Sequence, residues 1–281
     1  MREPGARGRN LPARREPLRM TSEQRDEGRR RWGPDAAGGW SGRLGPGRLW
    51  FTGRAGGVSA PPFATLNLSR HVRDLPVAVE ENRRRAAMRG APTGEAVWGQ
   101  LIHGSNVAWL SPAAAPGPGP VADGLLTASA GLTIAMTFAD CVPIWLASRV
   151  SPVGGLLHAG WRGTVRGIAR AGVEALVAAG AAAASLEAVI GPSIGPCCYE
   201  VGPELVDAVE ALDLGPGLVD ARRHLDLWEA NRRLLCRAGM AEDHIAVTGL
   251  CTACHPEWFF SHRREGGRTG RNGGFFRMDS P

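Results

Sequence analysis
Residues 137–164 read TFADCVPIWLASRVSPVGGLLHAGWRGT, and the rest of the chain is best understood outward from them. The stretch holds two apolar runs of strand length, 142–146 and 153–157, joined by a Ser/Pro segment. Each begins or ends on a side chain that can bind a soft metal. Cys141, preceded by the acid Asp140, heads the first, and His158 closes the second. A Gly-rich turn then opens a helix, with Thr164 as its expected N-cap and Val165, Ile168, Ala169, Gly172, Val173 and Leu176 along one apolar face. A third residue of the same chemistry, His103, ends another short apolar segment, QLIHG at 100–104.

On the N-terminal side, order is expected to begin with a strand at 48–52, followed by a helix over 75–89 that has Pro76 near its start. Strands are expected at 97–102 and 107–110, flanking the His103 turn, and a buried one at 132–138. The Pro/Gly/Ala segment 113–120 reads as an exposed loop. On the C-terminal side the pattern predicts a strand at 186–190, helices at 203–212 and 224–238, and short strands at 245–248, 257–260 and 275–277. Several strands follow one another without an intervening helix, which favours an α+β fold over a doubly wound parallel sheet. No linker interrupts 48–281, so this part is expected to be a single domain. Residues 1–47, rich in Arg, Gly and Pro, are expected to form a disordered tail.

The formal charge of +6 comes from that tail. Residues 1–48 carry twelve arginines against six acids, and the remainder is balanced. The body therefore offers no electrostatic case for nucleic acid or an anionic membrane, and no obligate protein partner is evident. The chain has no lysine, which excludes Schiff-base, Walker-type and Ser–Lys chemistry. No 18-residue apolar run and no signal-peptide core is apparent, and six cysteines in a chain of 281 residues read as reduced thiols, so a cytoplasmic protein is expected.

One Cys and two His make a sulfur and nitrogen donor set suited to zinc, with a fourth position open for water. The same residues also fit two other readings: satisfied core side chains, or a metal-free Cys–His nucleophile pair oriented by Asp140. Spacing alone leaves all three open. The motif CTACH at 251–255 matches the covalent haem-attachment pattern, but no export signal accompanies it. Its cysteines read as packing thiols, with a second metal or redox pair as the alternative, and Cys197 and Cys198 read as packed thiols in a tight loop.

A series of blocks spans about 49–281: GGVS (56–59), LNLS (66–69), ENR (81–83), QLIHG (100–104), ADCVPI (139–144), HAGWRG (158–163), GPSIGPCCYEV (191–201) and FFSHRREGGRTGR (259–271). In this order they resemble the laccase-domain family, whose members have been called polyphenol oxidases, purine nucleoside phosphorylases and peptidoglycan editing factors. The resemblance implies a four-layer α/β/β/α arrangement with mixed sheets, similar to a cytotoxic-necrotising-factor catalytic domain. It also implies His103, Cys141 and His158 as metal ligands, with zinc the expected ion and copper also accepted by such donors. The implied activity is phosphorolysis of adenosine, inosine, guanosine and methylthioadenosine, with adenosine deamination beside it.

Purine nucleosides and phosphate would then be the partners. Asp140 is expected to orient a ligand or move a proton. Arg162, Thr164 and Arg263 are expected to seat phosphate, with Arg264 and Arg271 as further candidates, and Asn67 to bond a base or ribose. Two alternatives remain: an editing hydrolase that removes L-serine from a UDP-muramoyl precursor, and a copper polyphenol oxidase. The second is disfavoured because none of the seven histidines lies two residues from another, as multicopper sites require.

Overall fold
The structure, a computed structural model, describes residues 32–34, 38–89, 91–94 and 96–279. Strands β1 (Trp32–Pro34), β2 (Trp40–Leu44) and β3 (Gly47–Phe51) form an antiparallel meander. Helix α1 (Pro76–Met88) starts on the proline, whose missing N–H is harmless in a first turn. Then come β4 (Ala96–Gln100), β5 (Val107–Leu110), β6 (Gly117–Val121), β7 (Gly124–Thr127), β8 (Thr133–Phe138), β9 (Val142–Ser148) and β10 (Gly154–Ala159). Helices α2 (Trp161–Val165) and α3 (Ile168–Ala178), strand β11 (Leu186–Ile190), helices α4 (Pro203–Glu210) and α5 (Leu227–Arg237), and strands β12 (Ile245–Val247) and β13 (Asn272–Met278) complete the chain.

Two mixed sheets result. One has the order β1-β2-β3-β13-β8-β4-β6 and the other β12-β11-β9-β10-β7-β5. Both contain parallel and antiparallel pairs, such as β4 with β8 and β13 with β8. Helix α1 covers the outer face of the first sheet through Ala86, against Leu68, Trp98 and Phe275. Phe51, Phe138, Trp145, Leu156 and Phe276 fill the space between the sheets. Helices α3, α4 and α5 cover the outer face of the second through Val173, Leu205 and Leu235. The architecture is therefore α/β/β/α, as expected.

Strand β9 shows why the central runs are apolar at every position. Val142, Ile144 and Leu146 face the helices, while Trp145 and Ala147 face the other sheet. A strand covered on both faces has no polar side to alternate with. The Trp145 indole N–H donates to the Phe275 carbonyl at 2.8 Å, so the largest fully buried side chain also ties one sheet to the other.

Several expectations are corrected. Order begins before residue 48: β1 and β2 lie inside the segment read as a tail, because Trp40 is buried against Trp258 and Phe259. Residues 1–31 of that segment fall outside the described residues. Part of 113–120 is strand β6, at a sheet edge where prolines are tolerated. The run 257–260 is a turn segment. Phe259 and Phe260 are apolar because they are buried in the core, not because they form a ladder. Thr164 does not cap a helix; it lies inside α2, and α3 restarts after Gly167, whose φ of 83° breaks the run. The expected helix 224–238 begins at Leu227, capped by Asp226, whose carboxylate accepts from the Glu229 N–H at 2.9 Å. Among the described residues no helix is long and apolar enough to cross a membrane.

Candidate metal centre
Strands β4 and β5 belong to different sheets, so the turn between them crosses from one to the other and carries His103 to the rim of the gap. Strands β9 and β10 pair antiparallel with His158 opposite Pro143 and Ala159 opposite Val142, which sets Cys141 beside the end of β10. The sulfur of Cys141 and one ring nitrogen from each of His103 and His158 consequently lie within 4.8 Å of one another. The histidine rings are 5.0 Å apart, edge to face. His158 is buried, whereas His103 is exposed, so solvent reaches the cluster from the His103 side.

Backbone strain helps aim these side chains. His103 has φ of 58° and Asp140 has φ of 84°, a region that L-residues seldom occupy. Local hydrogen bonds hold both. The His103 N–H donates to Asp123 Oδ1 at 3.0 Å, and the Asp140 carbonyl accepts from the Ile194 N–H at 3.0 Å. Gly160 gives the cluster its room: a Cβ there would stand 2.9 Å from Cys141 Sγ and 3.3 Å from His103 Cδ2. Gly160→Ala is expected to push the sulfur aside at a cost of about 1–3 kcal/mol, about a fivefold to 150-fold loss of metal affinity. Competition against a chromophoric chelator measures it, and unchanged affinity would refute the steric account.

Asp123 is the residue that sequence reasoning missed. Fully buried just before β7, it accepts from the backbone N–H groups of Ile102, His103 and Gly104, the last at 2.7 Å. It also pairs with His158 Nδ1 at 2.9 Å. With the backbone donors fixing Asp123 as a carboxylate, the network holds the Nδ1 proton towards Asp123 and leaves Nε2 as the atom on which a cation would replace the second proton. The one available signal was an acid standing alone in the apolar run 121–127, the same pattern as Asp140 ahead of Cys141.

Burial pushes the Cys141 thiol up, but the His158 charge and hydrogen bonds from His103 and His158 outweigh it and bring the group down to about 6. Burial likewise pulls His158 down, yet the Cys141 charge and the Asp123 hydrogen bond lift it to about 9. Burial would raise Asp123 as well; the His158 hydrogen bond and the Gly104 N–H leave it below the usual carboxylate range. A thiolate, two imidazole nitrogens and a carboxylate behind one of them form a donor set that fits a soft to borderline divalent metal with an exposed side left over.

The other expected site residues divide. Asp140 is at the centre, but both carboxylate oxygens are occupied: Thr252 Oγ1 donates at 2.7 Å and the Arg263 N–H at 2.7 Å. That makes it an organiser of two loops rather than a free proton carrier. Arg162 is exposed, and its guanidinium lies 4.2 Å over the Trp161 ring. The exposed Arg263 donates to the Glu200 carbonyl and lies over Tyr199.

The Arg271 guanidinium donates to the Thr269 and Gly270 carbonyls; burial lowers it, and the charges of Cys141 and Asp140 oppose the shift. Two expectations are corrected. Thr164 is fully buried, with Oγ1 accepting from Asn231 Nδ2 at 3.0 Å, so it cannot seat phosphate. Asn67 is fully buried too. Its amide donates to Ser69 and Asp74 and accepts from the Ser69 and Arg271 N–H groups, so it braces the Arg271 segment instead of meeting a nucleoside.

The fold and the His-Cys-His convergence define a class: four-layer α+β proteins with a metal-type centre at the gap between two mixed sheets. Comparison makes this specific. Residues 48–279 match the family model described as multi-copper polyphenol oxidoreductase laccase, and the chain belongs to that family. It is 39% identical over 240 residues to purine nucleoside phosphorylase YlmD of Geobacillus stearothermophilus, covering 79% of this chain and 86% of that one. It is 37% identical over 235 residues to human purine nucleoside phosphorylase LACC1, covering 80% of this chain and 54% of the human protein. Among solved structures, Bacillus licheniformis hypothetical protein YfiH superposes with a TM-score of 0.82 at 33% identity, over 88% of this chain and 99% of that one. The crystal structure of YlmD from G. stearothermophilus gives 0.81 at 35% identity, over 89% and 99%.

Proposed function
We propose that this chain is a zinc-dependent purine nucleoside phosphorylase that also deaminates adenosine. The observation that carries the reading is the meeting of His103, Cys141 and His158, backed by Asp123, in a chain 39% identical to a relative named for that activity. Zinc held by these three side chains supplies a Lewis acid at neutral pH beside the substrate.

The chain's own residues supply the rest. Asp123 holds His158 in one tautomer and fixes the His103 turn. Asp140 clamps the Thr252 and Arg263 loops around Cys141. Arg162, whose guanidinium lies over the Trp161 ring and makes no hydrogen bond or ion pair among the described residues, is placed to seat phosphate, with Arg263 and Arg271 closing the anion's other side. Phosphate oxygen then forms the bond to the ribose anomeric carbon as the bond to the purine nitrogen breaks, and the base leaves with the electron pair. The six free thiols are in keeping with a reducing compartment such as the cytoplasm.

Metal-defined protein incubated with adenosine tests the reading. Adenine and ribose 1-phosphate are expected only when phosphate is present, and inosine with or without it. Product no higher than from a Cys141→Ala control would overturn it. Release of L-serine from a UDP-muramoyl precursor in place of phosphorolysis would transfer the function to precursor editing. For copper oxidase chemistry, the converging groups among the described residues are this centre and a cluster of four cysteines, and neither is the histidine-rich set such enzymes need.

A further inference from the structure
The loops that follow the paired parallel strands β11 and β12 bring four thiols together at the end of the second sheet. Cys197 and Cys198 come from the first loop, Cys251 and Cys254 from the second, and their sulfurs lie within 4.8 Å of one another. Cys254 Sγ is 3.4 Å from both Cys197 Sγ and Cys198 Sγ. All four are free thiols. Packing does not account for this arrangement. Cys197 and Cys254 are exposed, whereas thiols that serve only as small apolar groups are buried. The haem reading fails as well: Cys251 is buried, and the His255 ring stacks on Trp258 at 4.5 Å.

We propose that Cys197, Cys198, Cys251 and Cys254 bind one zinc ion in a closed, structural site separate from the catalytic centre. Tetrahedral zinc with sulfur ligands at about 2.3 Å sets its sulfurs about 3.8 Å apart. The observed spread accommodates one ion; a multi-iron cluster, with its own inorganic sulfurs, would hold the cysteines further apart. Four protein ligands leave no open position, which is the structural rather than the catalytic pattern.

The surroundings agree. The Gly195 N–H donates to Cys251 Sγ at 3.3 Å, the kind of contact that stabilises a thiolate. Ser193 and Cys251 form an isolated parallel bridge, with the Ser193 N–H bonded to the Leu250 carbonyl and the Thr252 N–H to the Ser193 carbonyl. Thr252, between the two ligands of the second loop, donates to Asp140 next to Cys141. The ion would thus staple the wall that carries the Asp140 clamp.

Metal analysis of the full chain, purified under reducing conditions, tests this independently of the activity. About two zinc ions per chain are expected in the wild type and about one in Cys141→Ala, which loses the catalytic ion but keeps this one. X-ray absorption at the zinc edge of Cys141→Ala should show a sulfur-only shell. Cys254→Ser should remove one ion per chain, and if that variant does not fold, the absorption spectrum of Cys141→Ala still decides. Metal-free Cys141→Ala whose remaining thiols titrate freely would overturn the proposal, and so would a disulfide among the four or bound iron.

Discussion
On the proposed function, Cys141→Ala is expected to lower phosphorolysis of adenosine about a thousandfold in kcat/KM, roughly 4 kcal/mol of transition-state stabilisation, and to release the metal proposed at this centre. Cys141 is the one anionic member of the ligand set. Without it two imidazoles remain, and the charge that holds His158 near 9 is lost. The fold should survive, because Cys141 only packs against the edge of the core between the sheets and alanine keeps its Cβ there. Kinetics, metal content and circular dichroism on the same preparation measure this. A variant that keeps more than about a tenth of wild-type activity would remove the metal from the reaction.

Asp123→Asn is the second large effect, because one carboxylate holds two of the three ligands. It pairs with His158 Nδ1 and accepts the N–H groups of the turn that presents His103. An amide of the same shape offers only one oxygen and turns its NH2 group towards donors, either the backbone N–H groups or the imidazole. Loss of a carboxylate behind a ligating histidine costs about tenfold to a hundredfold in metal affinity, and the loosened His103 turn places the expected loss at the upper end. Chelator competition gives the affinity, and the melting temperature of the metal-free protein gives the structural share. A lower melting temperature with unaltered metal affinity would make Asp123 a fold residue only.

Gly160 and Asp123 show where sequence reading stops. Both govern the centre, yet neither belongs to the residue types searched for as ligands. Gly160 matters because of empty space beside Cys141, and Asp123 because a buried carboxylate gathers donors from a segment twenty residues earlier in the chain. The two opposite errors have one cause. Asn67 and Thr164 are polar residues in recognisable blocks, which suggested contact with a ligand, but their hydrogen-bonding capacity is taken up inside the protein. Four-cysteine convergence was equally hidden, since Cys198 and Cys251 meet only because β11 and β12 pair in parallel.

What the residues themselves determined is local: the apolar runs of β8, β9 and β10, the proline-led helices α1 and α4, the α+β class, and a soft donor set of His103, Cys141 and His158. These follow from periodicity, backbone preference and side-chain chemistry, which act within a few residues. The pairing of the sheets, the partner behind each histidine and the occupancy of each polar side chain were decided by tertiary structure alone. Such contacts join positions scores of residues apart, and no short-range pattern encodes which of many polar groups will meet once the core has closed.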